Sequence, residues 1–399
     1  MNILHFQFDT EIRTLYQIRA MKNNNNFYLL FSGKSYNEQF GYGNEIFSKT
    51  FHINNIRLPN IFYLNHSKEV QSVVNFLKVL IKDNKIDLIH VHKRTDIQCY
   101  IALKTGIPVV IDSHDLICIM ESSLFGKEGP KIFRIPIIGK LLGNSFYNTL
   151  EKVEKYSFQN ADSIIAVSPI MKDQISTAYD INPNKINVLV NTVPLDYCVS
   201  KPKAQYNFPI KAILATSFFI HKDSRSHRNI LNLINILKNL NTLDVDIYGN
   251  TTGVSLEEIE QFFSNYSNIH YKGFLDPKKF EKIVDNYDIG IVYNNPHYDV
   301  NIGKMSLPKK FFEYAAKGLP ILSNESEQVV DFIKTYKIGS VFNEASEKSI
   351  LEAIQNIMDN YQLYSNNALN LVKDTYNWDE QDKKLQMIYT NVKKNPYDR

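Results

Sequence analysis

This sequence predicts two doubly wound parallel α/β domains in tandem, and three observations carry that prediction. Short β-branched or aromatic runs alternate with longer amphipathic stretches along the whole chain. The alternation breaks once, over 192–209, where Pro194, Pro202 and Pro209 fall with no clear period, and then restarts. The chain has 399 residues, more than one hydrophobic core ordinarily serves.

The elements follow in order. Ile3–Phe8 reads as a strand, Glu11–Met21 as a helix and Phe27–Phe31 as a strand. A polar loop then leads to a helical pattern over Ser67–Lys82. Ile86–Val91 and Pro108–Asp112 are strands flanking a helix near Thr95–Thr105. After an irregular insert come a helix near Ser145–Gln159, a strand at Ser163–Val167, a helix at Pro169–Ala178 and a strand at Ile186–Val190. Repeated β-α-β order implies a parallel sheet with helices on both faces. This first domain is expected over 1–195. The second, expected over 209–375, opens with a strand at Ala212–Phe219 and a helix at Asn229–Asn239. It continues through strands at Val245–Tyr248, Ile269–Lys272, Ile289–Tyr293, Pro320–Leu322 and Ser340–Phe342, and a polar helical tail starts at Ser346. Two such units imply a cleft between them, with ligands at the carboxyl ends of the strands.

Composition narrows the class. Hydrophobic residues are 44%, enough for a core in each half, and charged residues are 22%, which argues against disorder. Lys plus Arg is 45 against 42 for Asp plus Glu, a net +3 too small to imply a nucleic-acid partner. Cys99, Cys118 and Cys198 are scattered and odd in number, so neither a disulfide framework nor a zinc site is expected, and a reducing cytoplasm fits. The opening residues carry no basic leader or cleavage pattern, so no signal peptide is expected. No apolar run reaches the roughly 18–20 residues that span a bilayer.

The segment from Ser306 to Ile321, SLPKKFFEYAAKGLPI, is the most informative. Pro308 suits the first turn of a helix, where a missing N–H costs little. A helix N-terminus offers free N–H groups and partial positive charge to a phosphate. Lys309 and Lys310 add full charges, and Glu313 lies where a carboxylate accepts hydrogen bonds from ribose hydroxyls. Gly318 ends the helix and Pro320 opens a buried strand.

This segment resembles the donor-binding motif of family 4 (group 1) glycosyltransferases, in the form Pro-x-Lys-x-Phe-Glu-Tyr followed by Gly-x-Pro. The resemblance extends along the chain and implies the GT-B fold. It implies that the first domain binds the acceptor and the second the nucleotide sugar. It also implies that 376–399, opening at Asn377-Trp378, is a helix crossing back to the first domain. It implies a retaining transfer from a nucleotide-diphosphate sugar, a UDP-sugar first among them, with no cofactor and no metal. Acceptors would be glycans or lipid-linked glycans of bacterial surface polysaccharide synthesis, such as capsule or lipopolysaccharide. Glu313 would hold the donor ribose, and the loop Lys304–Leu307, with Ser306 and then Lys310, would meet the diphosphate. Many relatives carry a second glutamate eight positions earlier; here Met305 stands there. That departure keeps open a catalytically silent relative acting as a binding or scaffold protein. A nucleotide-sugar epimerase of the same fold fits the tail and the Phe-Glu-Tyr motif less well.

Other candidates lie at strand ends. Val109–Asp115 closes on Asp112-Ser113-His114-Asp115, and the family's histidine after this strand, facing the reacting sugar, matches His114; the alternative is a turn histidine bonded to Asp112 or Asp115. His92 reads better as structural. The basic loop 221–228 suits a diphosphate, with Arg228 first and Arg225 and Lys222 next, or is a solvated loop. Gly249 and Gly273 each follow a strand, where a ligand approaches the backbone or the chain simply turns. Asp9 and Arg13 are candidate acceptor contacts, though that turn reads better as a plain cap by Asp9 or Thr10. The insert from Pro130 to Leu142 interleaves basic and apolar residues. It reads equally as a peripheral contact with the cytoplasmic membrane face and as a loop packed over the first domain.

Overall fold

The computed structural model describes residues 1–8, 10–19, 21–53, 68–93, 96–114, 116, 149, 151–220, 228–251, 254–295 and 307–394. The chain forms two compact units: Met1–Val190 with Trp378–Arg399, and Asn191–Asn377.

Unit 1 holds a seven-stranded sheet ordered β3-β2-β1-β4-β5-β6-β7, every pair parallel. The strands are β1 Asn2–Phe6, β2 Asn26–Phe31, β3 Lys49–His52, β4 Leu88–Lys93, β5 Val109–Ser113, β6 Ser163–Ala166 and β7 Ile186–Val188. The order reverses between β1 and β4, the topological switch of doubly wound sheets. The core packs Ile3, Phe27, Leu29, Leu88 and Val110 of the strands against Leu15 and Ile18 of helix Ile12–Arg19. Leu385, Ile388, Tyr389 and Val392 of the last helix, Trp378–Lys394, complete it. The sequence pattern offered only a polar loop between β2 and the next helix. A short helix, Tyr36–Phe40, forms there behind a Ser35–Glu38 capping box, and β3 adds an edge strand. β3 lacks the usual signal because all four of its residues keep access to solvent.

Unit 2 repeats the plan with six parallel strands ordered β10-β9-β8-β11-β12-β13. They are β8 Ile210–Ala215, β9 Leu243–Tyr248, β10 Ile269–Tyr271, β11 Ile289–Val292, β12 Ile321–Asn324 and β13 Gly339–Phe342. Ala212, Leu214, Val245, Ile247, Ile289 and Ile291 pack against helices Leu231–Leu237, Leu256–Phe263 and Glu347–Asp359. Local chemistry sets the helix starts: Asp276 caps the Lys279 N–H with Pro277 in the first turn, and Ser255 forms a capping box with Glu258.

The proline-rich stretch read as a linker is built into unit 2. Val193 bridges Asn377, the Thr192 hydroxyl bonds Tyr376 O, and Val199 N donates to Ala316 O at 3.0 Å. The passages between units therefore fall at Val190–Asn191 and Asn377–Trp378.

Candidate active site

The site residues of unit 1 gather at the carboxyl ends of β1, β4 and β5, beside the switch. Register sets His5 opposite His90 and His92 opposite Asp112, so these side chains share one face of the central strands. Asp112 is fully buried and accepts from Arg13 Nε at 3.1 Å and Gln17 Nε2 at 2.6 Å. Burial would raise its pKa, but the Arg13 guanidinium and then His114 hold it well below the usual carboxylate range. Arg13 also donates to Leu189 O at 3.0 Å and Val190 O at 3.2 Å, and lies over the Trp378 ring. It is only 2% exposed, so the expectation of an acceptor contact does not hold. Its donors already have partners in the core, and its part is to position Asp112 and the chain near Val190.

His5, His90 and His92 form a buried layer. The rings of His90 and His92 stack 4.5 Å apart at 6°, and His5 Nδ1 lies 2.9 Å from His92 Nε2. Burial, then mutual repulsion, pushes His5 and His92 well below the ordinary imidazole value, and burial lowers His90. The ring nitrogens come within 4.8 Å of one another. His5 bonds His92 and His90 Nδ1 bonds the Tyr389 hydroxyl, so the layer is part of the hydrogen bonding of the core. This agrees with the structural reading of His92.

His114 stands at the rim, 19% exposed, with Nδ1 2.9 Å from Glu11 Oε2 and Nε2 3.5 Å from Asp112 Oδ1. Burial would drive off its proton, but the two carboxylates outweigh that and push it up to about 10. It stands as an imidazolium at neutral pH, a donor and a fixed charge. Sequence reasoning passed over Glu11, because nothing in the string Asp9-Thr10-Glu11 ties it to a residue a hundred positions away. Thr10 does not cap the helix either. Its hydroxyl lies 2.9 Å from Lys34 O and 2.8 Å from Gln39 Oε1.

In unit 2 the helix Lys309–Ala316 starts directly after Pro308, which takes the N-cap position. Phe311, Phe312 and Tyr314 are buried and anchor it: the Tyr314 ring packs on Gly290 of β11, and its hydroxyl accepts from Ala215 N at 2.8 Å. That anchoring leaves Glu313 2% exposed, between Lys309 Nζ and Lys310 Nζ at 2.7 Å each. Burial would raise Glu313, but the two ammonium groups bring it down to about 2. Lys310 Nζ also sits 3.4 Å from the Phe280 ring centroid. Leu307 is 4% exposed, so its side chain packs inward.

The two strand-end glycines differ. A Cβ on Gly249, at φ +148°, would fall 1.7 Å from Thr216 O, so close approach of its own backbone requires glycine there. Gly273, at φ +78°, has nothing within 4 Å of the same position and leaves open space. Arg228 is exposed, and its carbonyl accepts from Phe219 N at 3.1 Å. Asp9, Lys222, Arg225, Lys304, Met305, Ser306 and the 130–142 insert lie outside the described residues.

Two Rossmann-like sheets, with the last helix joined to the first unit, define the GT-B glycosyltransferase fold. Residues 18–197 match the sequence profile of Glycosyltransferase Family 4, so the resemblance drawn from the Phe-Glu-Tyr motif is borne out in the other half of the chain. Among solved structures, sucrose-phosphate synthase from Thermosynechococcus elongatus superposes with TM-score 0.67 at 13% identity, covering 98% of this chain and 99% of that one. HepE from Anabaena in complex with UDP gives 0.65 at 11% identity, covering 98% and 100%. WaaG, a glycosyltransferase involved in lipopolysaccharide biosynthesis, gives 0.61 at 11%, also covering 98% and 100%. No curated protein matches in sequence. Among the described residues no helix is long and apolar enough to cross a membrane.

Proposed function

We propose that this chain is a glycosyltransferase that moves a sugar, with retention of configuration, from a nucleotide-diphosphate sugar to a glycan or lipid-linked acceptor. The observation that carries this reading is Glu313: an ionised carboxylate kept almost wholly from solvent in the second turn of a helix, with two lysines on it. A fold alone needs no such cluster there. A ribose diol and a diphosphate use both halves of it, the carboxylate for the hydroxyls and the ammonium groups with the helix N-terminus for the phosphates. On this reading the diphosphate leaves without a bound metal, because fixed positive groups meet its charge. On the same reading Gly273 and Arg228 serve the donor half, and the corner at His114 serves the acceptor. UDP is the first nucleotide to test, since HepE is known in complex with it. The resemblance to WaaG favours a surface polysaccharide as the product, assembled at the cytoplasmic face of a membrane.

The test is thermal unfolding with UDP, GDP, ADP, CMP and their sugars, for the native chain and Glu313→Ala. One nucleotide diphosphate should raise the native Tm and leave the variant unmoved. Saturation at a hundred times the Kd stabilises by about 2.7 kcal/mol. A folded chain that answers to no nucleotide defeats the proposal and returns the scaffold reading.

A further inference from the structure

We propose that Glu11 is the side chain of unit 1 that takes the hydrogen bond of the acceptor hydroxyl, and that His114 is the positioning residue behind it. The inference rests on the glycosyl-transfer reading. Three charged groups form a line from core to rim. Asp112 is fully buried, His114 is 19% exposed and Glu11 is 29% exposed. Nδ1 of His114 is taken by Glu11 at 2.9 Å, and Nε2 is buried 3.5 Å from Asp112 Oδ1 with no hydrogen bond, so neither nitrogen faces open space for a substrate. Glu11 gives one oxygen, Oε2, to the imidazole and keeps surface open. Its backbone is held on both sides by one buried phenol: Tyr36 Oη accepts from Glu11 N at 3.3 Å and donates to Glu11 O at 2.9 Å. Gln7 Nε2 in turn donates to that hydroxyl at 2.9 Å. A pinned backbone and a clamped carboxylate give a fixed acceptor of hydrogen bonds at the carboxyl end of β1, beside the switch where such sheets bind ligands. The groups facing His114 are Glu11 from the turn before helix Ile12–Arg19, Asp112 from β5, and His92 from β4, whose ring meets it edge-on at 5.9 Å. Arg13 and His90 lie beyond Asp112.

The test uses the full chain, Glu11→Gln, and Glu11→Asp as a second variant that keeps the charge and shortens the reach. Nucleotide release is followed from UDP-, GDP- and ADP-glucose with water as the attacking hydroxyl in the acceptor's place, and the His114 imidazole is followed by long-range proton–nitrogen NMR, assigned with His114→Gln. In Glu11→Gln we expect kcat to fall about ten- to a hundredfold with the donor KM held, the loss a charge-assisted hydrogen bond carries. His114 should keep its proton through neutral pH in the native chain and release it at lower pH in Glu11→Gln. Native turnover in Glu11→Gln, or a native His114 that titrates at an ordinary imidazole pH, overturns the proposal. A native chain that releases no nucleotide from any donor overturns the transfer reading and the acceptor role with it. The imidazole titration still reports whether Glu11 holds His114, so the two failures are told apart.

Discussion

Glu313 and His114 carry opposite pH signatures. The folded chain lowers Glu313 to about 2, so its contribution is present above its unfolded pKa and disappears as pH falls through the folded one. That contribution is about 3 kcal/mol near neutral pH, fading between about pH 4.5 and 2. Unfolding of Glu313→Gln against the native chain should show a constant gap above about pH 5 that closes in acid. His114, raised to about 10, works the other way: its contribution is complete below the unfolded imidazole value and is lost as pH rises toward the folded one. Sequence showed Glu313 because its neighbours in the helix carry the message. Lys309 and Lys310 stand four and three positions before it, and hydrophobic Phe311, Phe312 and Tyr314 fix which side faces inward. It could not show that Arg13 is spent on Asp112, or that Glu11 meets His114, because those pairings exist only once β1 and β5 lie in one sheet.

The helix Lys309–Ala316 owes its place to two contacts at β8 and β11. Gly290 is glycine because a Cβ there would lie 2.3 Å from the Tyr314 ring. Gly290→Ala is expected to push that ring, and the helix carrying Glu313, away from the sheet, at a cost of about 1–3 kcal/mol. Urea unfolding reads the loss, and weaker nucleotide binding in the same variant would show that the helix has moved with its donor groups. The ordered strands were legible where Val, Ile and Leu run together, as in Ile289–Val292 and Val109–Val110-Ile111. β3 was not, since an edge strand open to solvent has no buried face to leave a pattern. Gly249 was legible as a glycine that matters but not as to why, since Thr216 approaches it only in the folded sheet.

At the scale of the molecule, unit 2 is one unbroken stretch of chain and unit 1 is two. Residues 191–377 expressed alone should therefore fold, with cooperative urea unfolding and dispersed amide resonances. Residues 1–190 alone lack Leu385, Ile388, Tyr389 and Val392 from their core and lack Trp378 beneath Arg13. They should bind hydrophobic dyes until residues 378–394 are restored in the same chain. The discontinuity also bears on synthesis. A ribosome makes the sheet of unit 1 first, then all of unit 2, and only then the helix that covers Leu15 and Ile18. At about 5–20 residues per second, that interval lasts on the order of ten seconds or more. For that time the nascent first half carries an apolar face with no cover of its own, the state a chaperone recognises, while the half made later is already closed.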